Sequence, residues 1–256
     1  MPFDLSLFYK HLKTTFVSGT YCFETIDSTN DYLKNLKDLK TGELVVTETQ
    51  TAGRGRRGRD WKDVPSENLL FSFSYIPKTT LDNPGVLSLI CALSISKVCD
   101  KLLGDSKIKW PNDIKAGNRK IAGILIESRT ILTKMSYIVG VGVNVNQTQF
   151  DDELKTIATS FYQQSGEIQS REKLLGLIMN EISSDIKRLE AGKISELIDE
   201  YRAKCETIRK RISFEKDGQV LEGTAINVNT DGSLLINTDG VQVSYHGNEI
   251  GYVKVI

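Results

Sequence analysis

The densest chemistry in the chain lies at Gly53-Arg54-Gly55-Arg56-Arg57-Gly58-Arg59, four arginines and three glycines in seven residues. Glycine lets backbone N–H groups come close to an oxyanion, and guanidinium groups offer forked, permanently charged donors that suit phosphate and carboxylate. The segment reads as an anion loop. It also satisfies G-x-G-x-x-G, but a dinucleotide fingerprint must open a helix directly. These glycines run instead into Arg59-Asp60-Trp61-Lys62-Asp63-Val64-Pro65-Ser66, which has no helical period and a proline near its end. No Gly-Lys-Ser/Thr follows, so a Walker A loop is excluded too. From charge alone, a solvated basic loop or a nucleic-acid contact fits at least as well as a ligand site.

Three further segments carry polar groups where ordinary packing does not ask for them. Lys109-Trp110-Pro111-Asn112-Asp113 holds Trp110 extended before proline and turns at Asn112 and Asp113. Arg119-Lys120-Ile121-Ala122-Gly123-Ile124-Leu125-Ile126-Glu127 places Lys120 at the entry to an apolar strand, where its ammonium either snorkels to water or meets an anion in a cleft. Gly123 close by leaves room for another group. In Val139-Gly140-Val141-Gly142-Val143-Asn144-Val145-Asn146 the alternating glycines strip one strand face of side chains, which serves tight packing and a ligand equally well. Asp27-Ser28-Thr29-Asn30 can cap a helix or point hydroxyl and amide groups at a small polar ring.

The elements that must position these groups are readable in part. Tyr21–Ile26 reads as a strand, followed by a helix capped at Ser28 or Thr29, with Asp31 in its first turn and Tyr32, Leu33, Leu36 and Leu39 at helical spacing. Leu44–Thr47 and Leu69–Tyr75 read as strands, the second buried. Asn83-Pro84 starts the clearest helix, with proline at its first position and Gly104 beyond its end. Strands are expected at Lys107–Trp110, Ile121–Glu127 and Tyr137–Asn146, joined by turns at Gly117-Asn118 and in the Thr130–Lys134 region. Amphipathic helices are expected at Glu172–Leu189 and Ile194–Lys204, whereas Leu5–Phe23 gives no clear period before its strand. From about Thr207, short alternating strands punctuated by Asp217-Gly218, Asp231-Gly232 and Asp239-Gly240 predict a small β barrel. Strands and helices in non-alternating order make the core α+β rather than doubly wound.

Composition narrows the function classes. Lysine plus arginine equals aspartate plus glutamate, 33 against 33, so no global field recruits nucleic acid or an anionic membrane, and anion binding must be local. No apolar run is long enough for a membrane span. Cys22, Cys91, Cys99 and Cys205 are scattered and His11 and His246 far apart, so no metal site is expected and the thiols read as reduced.

In this order, Asp27-Ser28-Thr29-Asn30, Gln50-x-Ala52-Gly53-Arg54-Gly55-Arg56-Arg57-Gly58-Arg59-x-Trp61, Lys109–Asp113, Arg119–Glu127 and Gly140-x-Gly142-x-Asn144 resemble the biotin protein ligase family. The resemblance is strong from about Thr25 to Asn146 and looser across the C-terminal barrel. It implies a class II aminoacyl-tRNA synthetase/biotin ligase-like catalytic core at 1–206, a mixed sheet flanked by helices, followed by an SH3-like small β barrel at 207–256. The activity implied is activation of biotin with ATP to biotinyl-5′-AMP with release of pyrophosphate. Transfer of the biotin to a lysine of the biotin carboxyl carrier protein of acetyl-CoA carboxylase follows. The arginine-glycine loop favours biotin over the lipoate and octanoate of related ligases and transferases.

By matching segments, the resemblance gives Ser28, Thr29, Asn30 and Gln50 the ureido ring, and Gly53, Arg54, Gly123, Leu125 and Gly142 the rest of the biotin site. Lys120 and Arg56 become the catalytic pair, touching biotin carboxylate and phosphate, while Arg54, Arg59, Trp61, Asn112 and Asn144 join them around the adenylate. Mg²⁺ is expected to accompany ATP, with Asn112 and Asp113 either orienting it or only shaping the turn. Larger family members repress genes through an N-terminal helix-turn-helix. The motif here already begins at Asp27, which leaves too little preceding chain for one, so no DNA partner is expected. The expected location is cytoplasmic, with no membrane partner, and monomer and homodimer both stay open. Attachment of lipoate or octanoate, and a non-enzymatic nucleic-acid binder, remain the alternatives; biotin-dependent pyrophosphate exchange separates them.

Overall fold

Alternating residues in the central strands decide what the main sheet can hold. In β3 (Leu69–Tyr75), Leu69, Phe71, Phe73 and Tyr75 face one side and Leu70, Ser72 and Ser74 the other, and every residue is buried. One face therefore packs on helices while the other carries hydroxyls into a covered interior. The computed structural model describes residues 2–62, 64–81, 83–131 and 134–256.

Around β3 stand β1 (Gly19–Ile26), β2 (Glu43–Gln50), β4 (Lys107–Lys109), β5 (Asp113–Ala116), β6 (Arg119–Ile131) and β7 (Lys134–Val143), giving seven strands in the order β1-β2-β3-β7-β6-β5-β4. Only β1 and β2 run parallel; every other pairing in this sheet is antiparallel, so the sheet is mixed, as expected. Register puts Gly123 opposite Gly142 and Leu125 opposite Gly140.

Helices α3 (Gly85–Leu103), α5 (Arg171–Glu190) and α6 (Ile194–Lys204) cover one face, and α1 (Leu5–His11) packs on α5. Their apolar stripes and the odd-numbered residues of β3 and β7 form the main core. Lys97 of α3 ties this layer together, meeting Asp185 of α5 at 2.9 Å and Glu200 of α6 at 2.8 Å. The other face is covered by α2 (Thr29–Asn35), whose Leu33 joins Val45 and Ile138 in a second, smaller core. A short α4 (Phe161–Ser165) follows β7.

Five antiparallel strands make the C-terminal sheet: β8 (Arg211–Lys216), β9 (Gln219–Val228), β10 (Leu234–Thr238), β11 (Val241–Tyr245) and β12 (Gly251–Val255), ordered β11-β10-β9-β8-β12. Asp217-Gly218 and Asp239-Gly240 all take positive φ, as two-residue hairpin turns require. Trp110 docks this sheet onto the core, donating its indole N–H to the Gly232 carbonyl at 3.1 Å.

Several local expectations need correcting. Pro84 is the N-cap of α3 rather than its first helical residue. Helix α2 stops at Asn35, so Leu36 caps it and Leu39 lies beyond; seven residues suffice because packing, not length, sustains it. Strand β5 had no sequence signal because only four residues pair there. Helix α1 hides in the unperiodic N-terminal stretch, started by Asp4 accepting from the Ser6 and Leu7 amides. Of the turn expected at Thr130–Lys134, Leu132 and Thr133 lie outside the described residues, as does Asp63 of the stretch after the arginine loop.

Candidate active site

A cleft opens on the α2 face of the large sheet, lined by Ser28, Thr29 and Asn30 at the start of α2, by Gln50 ending β2, and by glycines of β6 and β7. The alternation that stripped one face of β7 serves close approach. A Cβ on Gly140 would fall on the Asn30 amide, and one on Gly142 on the Trp61 indole. Opposite, a Cβ on Gly123 would lie 2.8 Å from the Lys120 ammonium.

One end of the cleft is a neutral shelf fixed from behind. Ser28 caps α2 by accepting from the Asp31 amide, which aims the next two side chains at β3. Gln50 Oε1 accepts from the Thr29 amide at 2.9 Å and from its hydroxyl at 3.0 Å. Ser72 Oγ lies 2.6 Å from both Thr29 Oγ1 and Asn30 Oδ1. Asn30 Nδ2 donates to Glu127 at 2.7 Å, and Lys34 donates to the other Glu127 oxygen at 2.8 Å. Arg54 grips Asp31 with both guanidinium nitrogens, at 2.7 and 2.6 Å. That Arg54 contact holds the Asp31 carboxyl below its ordinary value and raises Arg54 above its own. Burial pushes the Glu127 carboxyl up, but Lys34, Asn30 and Arg54 together bring it below the usual range.

The other end is charged. Lys120 Nζ sits 2.6 Å from Asp113 and 5.3 Å from the centroid of the Trp61 ring. Arg56 donates to Asn112 Oδ1 at 3.1 Å and to the Gly247 carbonyl, while Asn112 itself donates to the Ile124 carbonyl at 2.5 Å. Burial lowers the Arg56 and Lys109 values, with Asp113 opposing in both cases. Such a cluster attracts an anion that can compensate for the lost hydration.

The arginine loop closes on itself to shape this end. The Arg54 and Asp60 backbones pair in an antiparallel bridge, Gly55 donates to the Arg59 carbonyl at 2.6 Å and Trp61 to the Gly53 carbonyl at 3.0 Å, around a 3-10 turn at Arg56–Gly58. Trp61 is thereby laid in the cleft, its indole N–H buried without a partner. Free interior space is about 60 Å³, against about 300–1,000 Å³ for a typical small-molecule site. The indole must move aside for a ligand of ordinary size.

Twelve of the residues named from sequence line this cleft: Ser28, Thr29, Asn30, Gln50, Arg54, Arg56, Trp61, Asn112, Lys120, Gly123, Leu125 and Gly142. Three do not. Gly53 stands behind the wall beside Gln50. Arg59 turns away, over the Tyr252 ring at 4.9 Å. Asn144 is buried and donates to the Thr159 carbonyl at 3.0 Å. Sequence reading gave no site role to Ser72, Asp31 or Glu127. Ser72, a hydroxyl between Phe71 and Phe73, and Glu127, in phase with Gly123 and Leu125, both carried a period-two signal. Among the described residues, no group of three or more His, Cys, Asp or Glu side chains could hold a metal ion.

Residues 22–144 match a family model described as the biotin/lipoate A/B protein ligase family. Biotin--protein ligase 2 of Arabidopsis thaliana is 30% identical over 269 residues, covering 98% of this chain and 80% of that protein. The biotin--[acetyl-CoA-carboxylase] ligase of Mycobacterium tuberculosis is 28% identical over 222 residues, covering 83% and 80%. Among solved structures, the biotin protein ligase from Aquifex aeolicus in complex with biotin and ATP superposes with a TM-score of 0.82 at 28% identity, over 93% of this chain and all of that one.

Proposed function

The chain belongs to the biotin protein ligase family, and from that footing we propose how its cleft performs the family's two steps. The protein is a ligase that activates biotin with ATP, forming biotinyl-5′-AMP and pyrophosphate, and then transfers biotin to a lysine of the acetyl-CoA carboxylase carrier protein. The observation that carries the mechanism is a single glycine-walled cleft with a neutral hydrogen-bonding shelf at one end and Lys120 with Arg56 at the other.

The ureido ring of biotin carries two donors and one strong acceptor, which suits the shelf. Thr29 and Asn30 hold it, with Gln50 and Ser72 fixing their orientation. Each Asn30 amide atom keeps a bonding position open after its contacts with Ser72 and Glu127. The valeryl chain runs along Gly123, Leu125 and Gly142 toward Lys120. There the carboxylate and the α-phosphate must approach within bonding distance despite their like charge. Lys120 and Arg56 cancel that repulsion, and the shape of the cleft sets the line of attack. One carboxylate oxygen bonds to the α-phosphorus as the bond to the pyrophosphate oxygen breaks, and the electron pair leaves with pyrophosphate. A Mg²⁺ ion bound with the nucleotide would be held by Asp113, the carboxylate beside Asn112 that contacts Lys120 here, and would supply further positive charge to the phosphates. In the second step, the neutral amine of the carrier lysine attacks the mixed anhydride and AMP leaves.

We propose further that 1–206 and 207–256 are the two domains, the first resembling class II aminoacyl-tRNA synthetases and the second an SH3-like barrel. The test is exchange of labelled pyrophosphate into ATP, with biotin, lipoate or octanoate as the acid. Exchange that depends on biotin alone supports the assignment; exchange driven by lipoate or octanoate replaces it with that acid.

A further inference from the structure

The four arginines of the loop divide between two parts of the molecule. Arg54 is held by Asp31 of α2, on the catalytic sheet. The other three end on one corner of the C-terminal sheet. Arg56 donates to the Gly247 carbonyl, the Arg57 guanidinium lies where a Cβ on Gly251 would be, and Arg59 stacks over the Tyr252 ring at 4.9 Å. The backbone on both sides is bent for this contact. Arg57 has φ 59° and Tyr252 φ 51°, left-handed values that L side chains rarely take, and the β12–β8 register shifts between Gly251 and Lys254. Tyr252 is 65% exposed, so core packing does not explain its conformation.

We propose that Gly247, Gly251 and Tyr252 form a docking platform for the arginine loop, with Tyr252 a positioning residue for the lid over the adenylate. The lid role rests on the ligase reading above; the docking does not. Gly251 leaves the space that the Arg57 guanidinium occupies, and the Tyr252 ring gives Arg59 a cationic contact while leaving its donors in water. The C-terminal sheet thus acts on the reaction without touching substrate, by setting how long the loop stays closed. Asp113, Asn112 and Lys120 keep their own contacts whether or not Arg59 is stacked.

Two variants act on separate contacts. Tyr252→Gly removes the ring at an exposed position whose φ suits glycine, so the fold is kept. Gly251→Ala puts a methyl group where Arg57 lies. Tyr252→Phe retains the ring face and serves as the rescue. The first readout is trypsin cleavage between Arg54 and Arg59 in the absence of substrates, with fragments assigned by mass. Cleavage tracks the population of open loop and should rise about two- to fivefold in Tyr252→Gly, the equivalent of one exposed cation–π contact. It should rise in Gly251→Ala and stay at the wild-type rate in Tyr252→Phe. The second readout is biotin placed on serum albumin as a bystander, which should increase in parallel while pyrophosphate exchange is unchanged. Wild-type cleavage in both Tyr252→Gly and Gly251→Ala overturns the platform. Faster cleavage with unaltered bystander labelling overturns Tyr252 as a positioning residue for the lid. A wild-type protein without biotin-dependent exchange would sink the ligase reading, and the lid with it, while cleavage still decides the docking.

Discussion

The two ends of the cleft are built on opposite terms. At the shelf, Thr29, Asn30, Gln50 and Ser72 are bonded to one another and to Glu127, on a capped helix and paired strands. Their geometry exists before any ligand arrives, and a ring that fits meets groups already fixed. At the charged end, Lys120 leans on Asp113, Arg56 on Asn112 and a distant carbonyl, and Trp61 fills the space. These contacts stand in for ligand contacts and have to be exchanged or moved when phosphate enters. On the proposed mechanism, selectivity for the acid comes from the rigid end, and control over reaction and release from the exchangeable end.

Removing Lys120 should produce the largest effect. Lys120→Ala leaves the shelf untouched, so biotin should still bind while adenylate formation falls by about 100- to 1,000-fold, the usual loss for one donor aimed at developing charge. Pyrophosphate exchange and biotin titration on the same folded sample check this, and normal exchange would remove Lys120 from the reaction.

Arg56→Gly attacks the exchangeable end differently, deleting the contacts to Asn112 and Gly247 while Lys120 and the shelf remain. Activation should outlast retention. Escaped biotinyl-AMP acylates any exposed lysine, so labelling of serum albumin relative to a carrier domain should rise about tenfold or more, as the loss of a charged hydrogen bond allows. A variant that labels neither protein would mean that the first step depends on Arg56 as fully as on Lys120; one that labels only the carrier, with wild-type selectivity, would end the lid interpretation.

Asn30→Ala tests whether the shelf is selective because it is prebuilt. It leaves Ser72 and Glu127 each short of a partner, so biotin affinity should drop about tenfold and the preference over lipoate should narrow. Unchanged affinity would demote Asn30 to a neighbour of the helix cap.

Acid should produce the smallest change. Asp31 and Glu127 are both held below their ordinary values of 3.8 and 4.5, so the stability they contribute is fully present above those values and is lost as pH falls through the depressed ones. The melting temperature of Glu127→Gln should therefore lie below wild type at pH 7 and converge with it at lower pH. A gap that persists in acid would mean that something other than the Glu127 charge maintains the shelf.

Much of the site was legible because a period of two survives in the sequence. Gly140 and Gly142, with Gly123 and Leu125 across the pair, share one face by alternation alone, and Lys120 stands out at the entry to an apolar strand. The same parity misleads at Asn144. It falls in phase with Gly142, but β7 ends at Val143, and the Asn144 amide then turns to Thr159 instead of the cleft. Arg59 was unreadable for another reason. A left-handed residue at Arg57 redirects the chain, and the ring it meets, Tyr252, lies in a sheet that no local pattern connects to the loop. The elements missed were short ones, α1, β5 and α4, whose existence depends on caps and neighbours rather than propensity.

The register of β6 against β7 also bears on how such a sequence can change over generations. Gly140 faces the cleft only because Leu125 stands opposite, and Gly142 only because Gly123 does. Losing or gaining one residue inside β7 would rotate Val141 and Val143 into the space now left to Asn30 and Trp61, and the same change inside β6 would take Gly123 and Leu125 out of phase with them. Apart from Lys120 and Glu127, substitutions within β6 and β7 can accumulate as long as small residues stay small, but insertions and deletions inside the two strands are lethal to the site. The hairpin turn at Asp217-Gly218 has no ligand face to keep in phase, so lineages are free to lengthen or shorten it.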